Sequence, residues 1–421
     1  MNAISVKDKE RLRKVASQLR ELANSESMLK TIKLWKAHNA CRGERPMVRV
    51  ELDTFAHEII TPLQQCQGDE ARALEWQLLS MYVNPVLFGD DSVVRDFYPI
   101  QASSFFKPFD IDVQVEHADD GIGHHFVPVL EDLEDDFEKI KKSTFGINRE
   151  ATKKRFEFIS DALGDALPAK VVGGSLYAVP TQDIVHIMSM EDIYLAMAGS
   201  PELFKKMIMN LADDYVEYFE YLGREGVLKP TTESENLGQG TYCFTDELPS
   251  AITANATLAP TDVWGYADSQ ETVAISETMF RELVFPAYKK VAESFGLLSY
   301  GCCEPVEKIW DSCLSTLPNL RKVSISPWCD ESIMGERLAG SNIVYHRKPD
   351  ATILGVGTAL DEGRLRASIK KTLECAGNCT IEFTQRDVYT VNHDVSKVKR
   401  YVEIIREEIQ KKQLGELPDN E

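Results

Sequence analysis

The sequence predicts an α/β protein, a (β/α)8 TIM barrel with an N-terminal helical and mixed extension. Three observations carry this. From about residue 150, short apolar segments alternate with stretches of helical periodicity, the rhythm of a parallel sheet joined by crossover helices. About nine strand-like segments occur in all, one more than a barrel needs. Polar residues recur where those segments end, which is where such barrels carry their chemistry. An open doubly wound sheet is the alternative. Residues 1–150 are read as the extension with the first barrel strand, 151–412 as the main part of the barrel, and 413–421 as a flexible tail.

In chain order, residues 7–22 alternate charges with Leu12, Val15, Leu19 and Leu22 at helical spacing, and residues 25–38 continue the pattern. Residues 46–52 read as a first strand and 71–82 as a helix. Residues 111–116 alternate polar and apolar side chains and are expected to be the accessory strand. Helices are expected over 149–163, 183–197, 201–223, 276–295, 306–317, 332–338, 361–376 and 395–411. The remaining strands are expected near 170–173, 240–244, 262–266, 297–300, 321–325, 342–345 and 380–383.

The chain has 421 residues and a net charge of -20. That acidity argues against a nucleic-acid or anionic-membrane surface. No uncharged apolar run is long enough for a membrane span, and no signal peptide is evident. Nine scattered cysteines without a framework indicate reduced thiols and a cytoplasmic protein. A phosphate loop, a dinucleotide fingerprint and a nucleophile elbow are all missing.

The densest chemistry is Tyr300-Gly301-Cys302-Cys303-Glu304, at the end of a strand-like run. A thiolate there is a natural ligand for a soft or borderline metal. Neighbouring strand residues face opposite sides, so Cys302 and not Cys303 is expected to reach the pocket. Asp246, Glu247 and Glu304 are candidate general acids or bases, since burial raises a carboxyl's pKa. They are equally well read as helix caps or ion-pair partners. Gln270 is positioned to hydrogen-bond a substrate oxygen. Arg347, Lys348 and Trp328 are candidate substrate-binding residues, with Arg386 a further cation for a carboxylate.

The segments Phe244-Thr245-Asp246-Glu247-Leu248-Pro249, Trp264 to Thr272, Tyr300 to Pro305, Ser324 to Asp330 and Arg347-Lys348-Pro349 resemble the uroporphyrinogen decarboxylase superfamily. They are most similar to a decarboxylase-like branch related to corrinoid-dependent methyltransferases. The resemblance covers roughly residues 150–410 and implies a (β/α)8 barrel. It also implies an enzyme that moves a methyl group from a small methylated substrate, such as a methoxylated aromatic, to a corrinoid carried by a partner protein. In such enzymes zinc sits on a His-x-Cys pair and a later cysteine. Here Cys302 matches, Tyr300 stands for the histidine, and Arg386 or Asp387 stands near the last cysteine. Cys302 and Asp387 are therefore the expected metal ligands, with Glu304 or Cys303 as other completions. The alternatives are a cofactor-free decarboxylase and a non-catalytic ligand-binding barrel. The expected partners are a small-molecule substrate and a corrinoid protein, and a homodimer is compatible with the chain.

Overall fold

The computed structural model describes residues 4–117, 124–231, 237–249 and 257–415. Its strands are β1 (Met47–Val50), β2 (Tyr98–Gln101), β3 (Ser104–Lys107), β4 (Gln114–His117), β5 (His124–Val127), β6 (Thr144–Ile147) and β7 (Ala169–Val172). There follow β8 (Leu176–Tyr177), β9 (Trp264–Ala267), β10 (Leu297–Tyr300), β11 (Leu320–Ile325), β12 (Val344–Arg347) and β13 (Thr380–Gln385). Seven of them form one sheet in the order β1-β13-β12-β11-β10-β9-β8, every pairing parallel. β2 and β7 make a separate parallel pair, and β3–β6 and β4–β5 are antiparallel pairs.

The expected accessory strand is thus real but shifted. It is one arm of the β4–β5 hairpin and lies outside the main sheet. Residues 240–244 do not join the sheet. Side chains take three of their carbonyls instead: Asn39 donates to Tyr242 O (3.0 Å) and Phe244 O (2.7 Å), and Arg49 donates to Gly240 O. The expected helix over 306–317 is a series of turns ending in a short 3-10 turn at Leu314–Thr316.

Most other helices fall where periodicity puts them, and several are started by a side chain that satisfies a free amide. Ser5 caps Val6–Ala23 by accepting from Asp8 N, and Asp394 caps Val395–Gln413 by accepting from Ser396 N and Lys397 N. The buried stripe Leu12, Val15 and Leu19 seats the first of these helices.

Alternation in the sheet separates two faces. Val323, Tyr345, Ile381 and Phe383 are buried in the main apolar core. The opposite face carries Tyr266, Lys322, Ser324, His346, Glu382 and Thr384, all at most 2% exposed. A polar inner face so completely buried must be internally paired. Glu382 is its hub, accepting from Lys322 Nζ and meeting His38 Nε2, each at 2.9 Å, with His346 Nε2 at 3.3 Å.

Candidate functional site

The carboxyl ends of β9, β10, β12 and β13 bring a polar group together. β9 runs Trp264-Gly265-Tyr266-Ala267, so the next same-face residue after Tyr266 is Asp268. Tyr266 donates its hydroxyl to Asp268 Oδ2 at 2.6 Å. Asp268 is 2% exposed, and its Oδ1 has no hydrogen-bond partner among the described residues. Burial, then the negative charge of Glu304, pushes its carboxyl up to about 8. A carboxyl raised this far favours its protonated form at neutral pH, and Oδ1 is the oxygen without a partner among the described residues.

Glu304 has a different role. Its Oε1 accepts from Ser269 N (3.0 Å) and its Oε2 from Cys302 N (2.8 Å). With both oxygens engaged by backbone amides, it ties two strand ends together and supplies charge beside Asp268.

β10 ends at Tyr300, and Gly301 turns the chain with φ at +100°, a conformation that side chains with a Cβ rarely adopt. Strand alternation stops there, which overturns the expectation that Cys302 and Cys303 face opposite ways. Their sulfurs are 3.5 Å apart. The hydrogen bond between them lowers the Cys303 thiol to about 7, with help from the charge of Lys348, whereas the same bond and burial raise Cys302. Cys303 is half-buried and Cys302 buried. Iodoacetamide near pH 7.5 is expected to modify Cys303 well before Cys302. Peptide mapping of partially alkylated protein checks the order, and preferential labelling of Cys302 would refute it.

Two cations face the thiols. Lys348 Nζ donates to Cys302 O (3.0 Å) and to Gln239 Oε1 (2.6 Å). Arg386 NH1 also donates to Gln239 and lies 3.9 Å from Cys302 Sγ, while its Nε donates to Glu51 Oε2 at 2.5 Å. Burial, above all, lowers the Lys348 ammonium. Asp387 is exposed with φ at +57°. Among the described residues no three His, Cys, Asp or Glu side chains gather to hold a metal ion. Two sulfurs flanked by a lysine and an arginine do not fit zinc, which needs about four donors and repels cations.

Gln270, Glu304, Cys303 and Trp328 share a groove of about 660 Å3 with Glu271, Pro305, Val185, Met190 and Val273. Trp328 is 75% exposed at its rim. Lys348 lies deeper, on the inner face. Arg347, its neighbour, lies on the opposite face, bonded to Ile325 O, Ser326 O and Glu331 Oε1 at 3.0, 2.7 and 3.2 Å. It braces a helix against the sheet and does not meet the groove.

Asp246 and Glu247 are not brought to this end. Asp246 pairs with Lys36 at 2.6 Å on the surface, and Glu247 grips Arg321 at 2.7 and 2.9 Å. Arg321 is the second residue of β11, so both acids sit by the amino end of the sheet. Asp246→Asn is expected to leave turnover within about twofold, as befits an exposed ion pair. A kinetic comparison with the parent checks this, and a drop of a hundredfold would return Asp246 to the site.

Tyr177, Gln239, Tyr266 and Glu51 were not among the residues expected from sequence, although alternation along β9 aligns Tyr266 with Asp268. Tyr177 stacks on Tyr266 with ring centroids 4.7 Å apart.

No family model matches the chain, and no curated protein matches it. Among solved structures, a methyltransferase from Methanosarcina mazei is similar, with a TM-score of 0.49 and 12% identity over 90% of this chain and 98% of that one. At that level the likeness assigns neither reaction nor substrate. No helix among the described residues is long and apolar enough to cross a membrane.

Proposed function

We propose that the chain is an enzyme that catalyses methyl transfer from the oxygen of a small methylated compound to a corrinoid carried by a separate protein. Its site is the rim of a (β/α)8-type barrel in which the β2–β7 pair completes the ring left open between β1 and β8. The observation that carries the reading is the buried Asp268, whose carboxyl is pushed up to about 8 and whose Oδ1 has no hydrogen-bond partner among the described residues. Demethylation of an ether leaves an alkoxide or phenoxide, a poor leaving group unless it is protonated as it departs. Asp268 supplies that proton from Oδ1, the methyl–oxygen electron pair takes it up, and the Tyr266 hydroxyl on Oδ2 stabilises the carboxylate that remains. Lys348 and Arg386 offset the new negative charge. The corrinoid is the methyl acceptor and arrives with its own protein. Cys303 and Trp328 line the groove by which the acceptor approaches.

The test incubates the purified chain with methoxylated compounds and a reduced corrinoid protein, following the cobalt spectrum and the demethylated product. Absence of methyl transfer across simple aryl and alkyl methyl ethers would defeat the proposal. A second reading, cofactor-free decarboxylation, is favoured by the convergence of Lys348 and Arg386 on Gln239, a pair suited to a carboxylate. Asp268 would then protonate the carbanion. Carbon dioxide release without a corrinoid partner would select it.

A further inference from the structure

A second cavity, of about 340 Å3, lies behind Tyr177. Its walls include Phe106, Tyr215, Tyr218 and Phe219. Phe106 stacks on Tyr215 with centroids 4.3 Å apart and leans on Tyr218 at 5.3 Å, and Tyr218 meets Phe219 at 5.7 Å. Polar residues line it as well, among them Gln101, Ser104, Ser175 and Asp183. Tyr215 donates its hydroxyl to Asp183, and Tyr218 donates to Ser104 Oγ at 2.8 Å. Burial pushes the Asp183 carboxyl up to about 7, so near neutrality it can either donate or accept a hydrogen bond.

Tyr177 belongs to this cavity and to the site at once. Its ring lines the cavity and stacks on Tyr266, the partner of Asp268. Its hydroxyl is within electrostatic reach of Asp268, Cys302 and Arg386 of the site and of Asp183 of the cavity. Gly238, with φ at +87°, approaches the edges of both rings: a Cβ there would touch Tyr266 at 3.4 Å and Tyr177 at 3.5 Å. A side chain at residue 238 would crowd this junction.

The geometry points to the cavity behind Tyr177 as a binding site for a neutral, single-ring aromatic compound with one hydrogen-bonding substituent. The walls offer ring edges and faces at stacking distance. The volume is near the lower end of ligand pockets, roughly 300–1,000 Å3. It admits one substituted ring and excludes a tetrapyrrole. Asp183 reads the substituent and disfavours a carboxylate, whose charge it would oppose. That this ring is the body of the substrate whose reacting group meets Asp268 rests on the functional reading above. The binding of the ring does not.

The test is calorimetric titration of the full chain with 4-methylphenol, toluene and 4-methylbenzoate, none of which carries a transferable methyl ether. One saturable site per chain is expected for 4-methylphenol. Toluene should bind about tenfold more weakly, because the polar group at Asp183 is left without its partner. 4-Methylbenzoate should be weaker still. Leu222→Phe, which fills the cavity from the helix Pro201–Arg224, should weaken 4-methylphenol at least about tenfold. Phe106→Leu, at a half-buried position better able to tolerate change, should weaken it about fivefold by removing one ring of the wall. No saturable binding by the parent, equal affinity for all three probes, or unchanged affinity in the variants would each overturn the inference. Binding of 4-methylphenol without any turnover would sink the reaction and leave the cavity assigned. Methyl transfer by a chain that does not bind 4-methylphenol would do the reverse.

Discussion

Asp268→Asn is expected to cut turnover by about 10²–10⁴-fold and to make the protein more stable. The amide keeps an oxygen for the Tyr266 hydroxyl, so the site retains its shape, but it has no acidic proton to give. The stability change follows from proton linkage. An unfolded aspartate ionises near pH 4, whereas the folded Asp268 carboxyl keeps its proton up to about 8. Between those limits the folded state binds more protons, so Asp268 reduces stability progressively as pH rises from about 4 to 8. At neutral pH this costs on the order of a few kcal/mol, and Asn removes the cost. Activity of the parent should fall as pH passes about 8, when the acid is lost. Thermal melts of parent and variant at pH 5 and pH 8, with pH–rate profiles, check both halves. A variant that melts lower at pH 8, or that retains activity, would refute the assignment.

The largest loss of stability is expected from Glu382→Gln. Lys322 is fully buried, and among the described residues its Nζ donates to Glu382 Oε2 and Thr241 Oγ1, at 2.9 and 2.7 Å. Neutralising the glutamate leaves a buried ammonium without a counter-charge, a defect worth about 3–5 kcal/mol. Burial alone would raise the Glu382 carboxyl, but the charges of Lys322 and His346 and the bond to His38 hold it well below the usual range. With its folded pKa depressed, the cluster contributes its full stability above about pH 4.3 and loses it as pH falls through the folded value. Urea melts of the variant at neutral pH should show the loss. A midpoint within error of the parent would mean that Lys322 is neutral or otherwise paired.

Much of the sheet was legible because its strands are short apolar runs between helices with clear caps. β10 lies at residues 297–300 as expected, and β9, β11, β12 and β13 lie within about two residues of their expected bounds. Residues 240–244 misled because Gly-Thr-Tyr-Cys-Phe has strand composition, while the partners that satisfy its carbonyls are Asn39 and Arg49, some 200 residues earlier. β8 escaped because it is two residues long and follows two glycines. In the site, Glu304, Gln270 and Trp328, each expected at a strand end, line one groove because strand ends converge in a parallel sheet, and Cys303, expected to face away, lines it with them. Arg347 and Lys348 were grouped although neighbouring residues on a strand face opposite ways. The two cysteines were separated by the same rule where Gly301 had already ended the strand. Asp246 and Glu247 could not be told from strand-end acids, since residues 240–244 imitate a strand whose carboxyl end they would follow.

The ion pair between Arg386 and Glu51 joins residues 335 apart in sequence and, with β1 beside β13, closes the chain on itself at the site. Contacts of such long range form late and slow the search for the native state. Gln239, Cys302 and Lys348 all precede Arg386 in the chain, so until the last strand is in place the thiol pair lacks one of its two cations. A nascent or truncated chain therefore carries the sulfurs without the completed pocket. The last strand therefore brings the second cation and closes the site in one step.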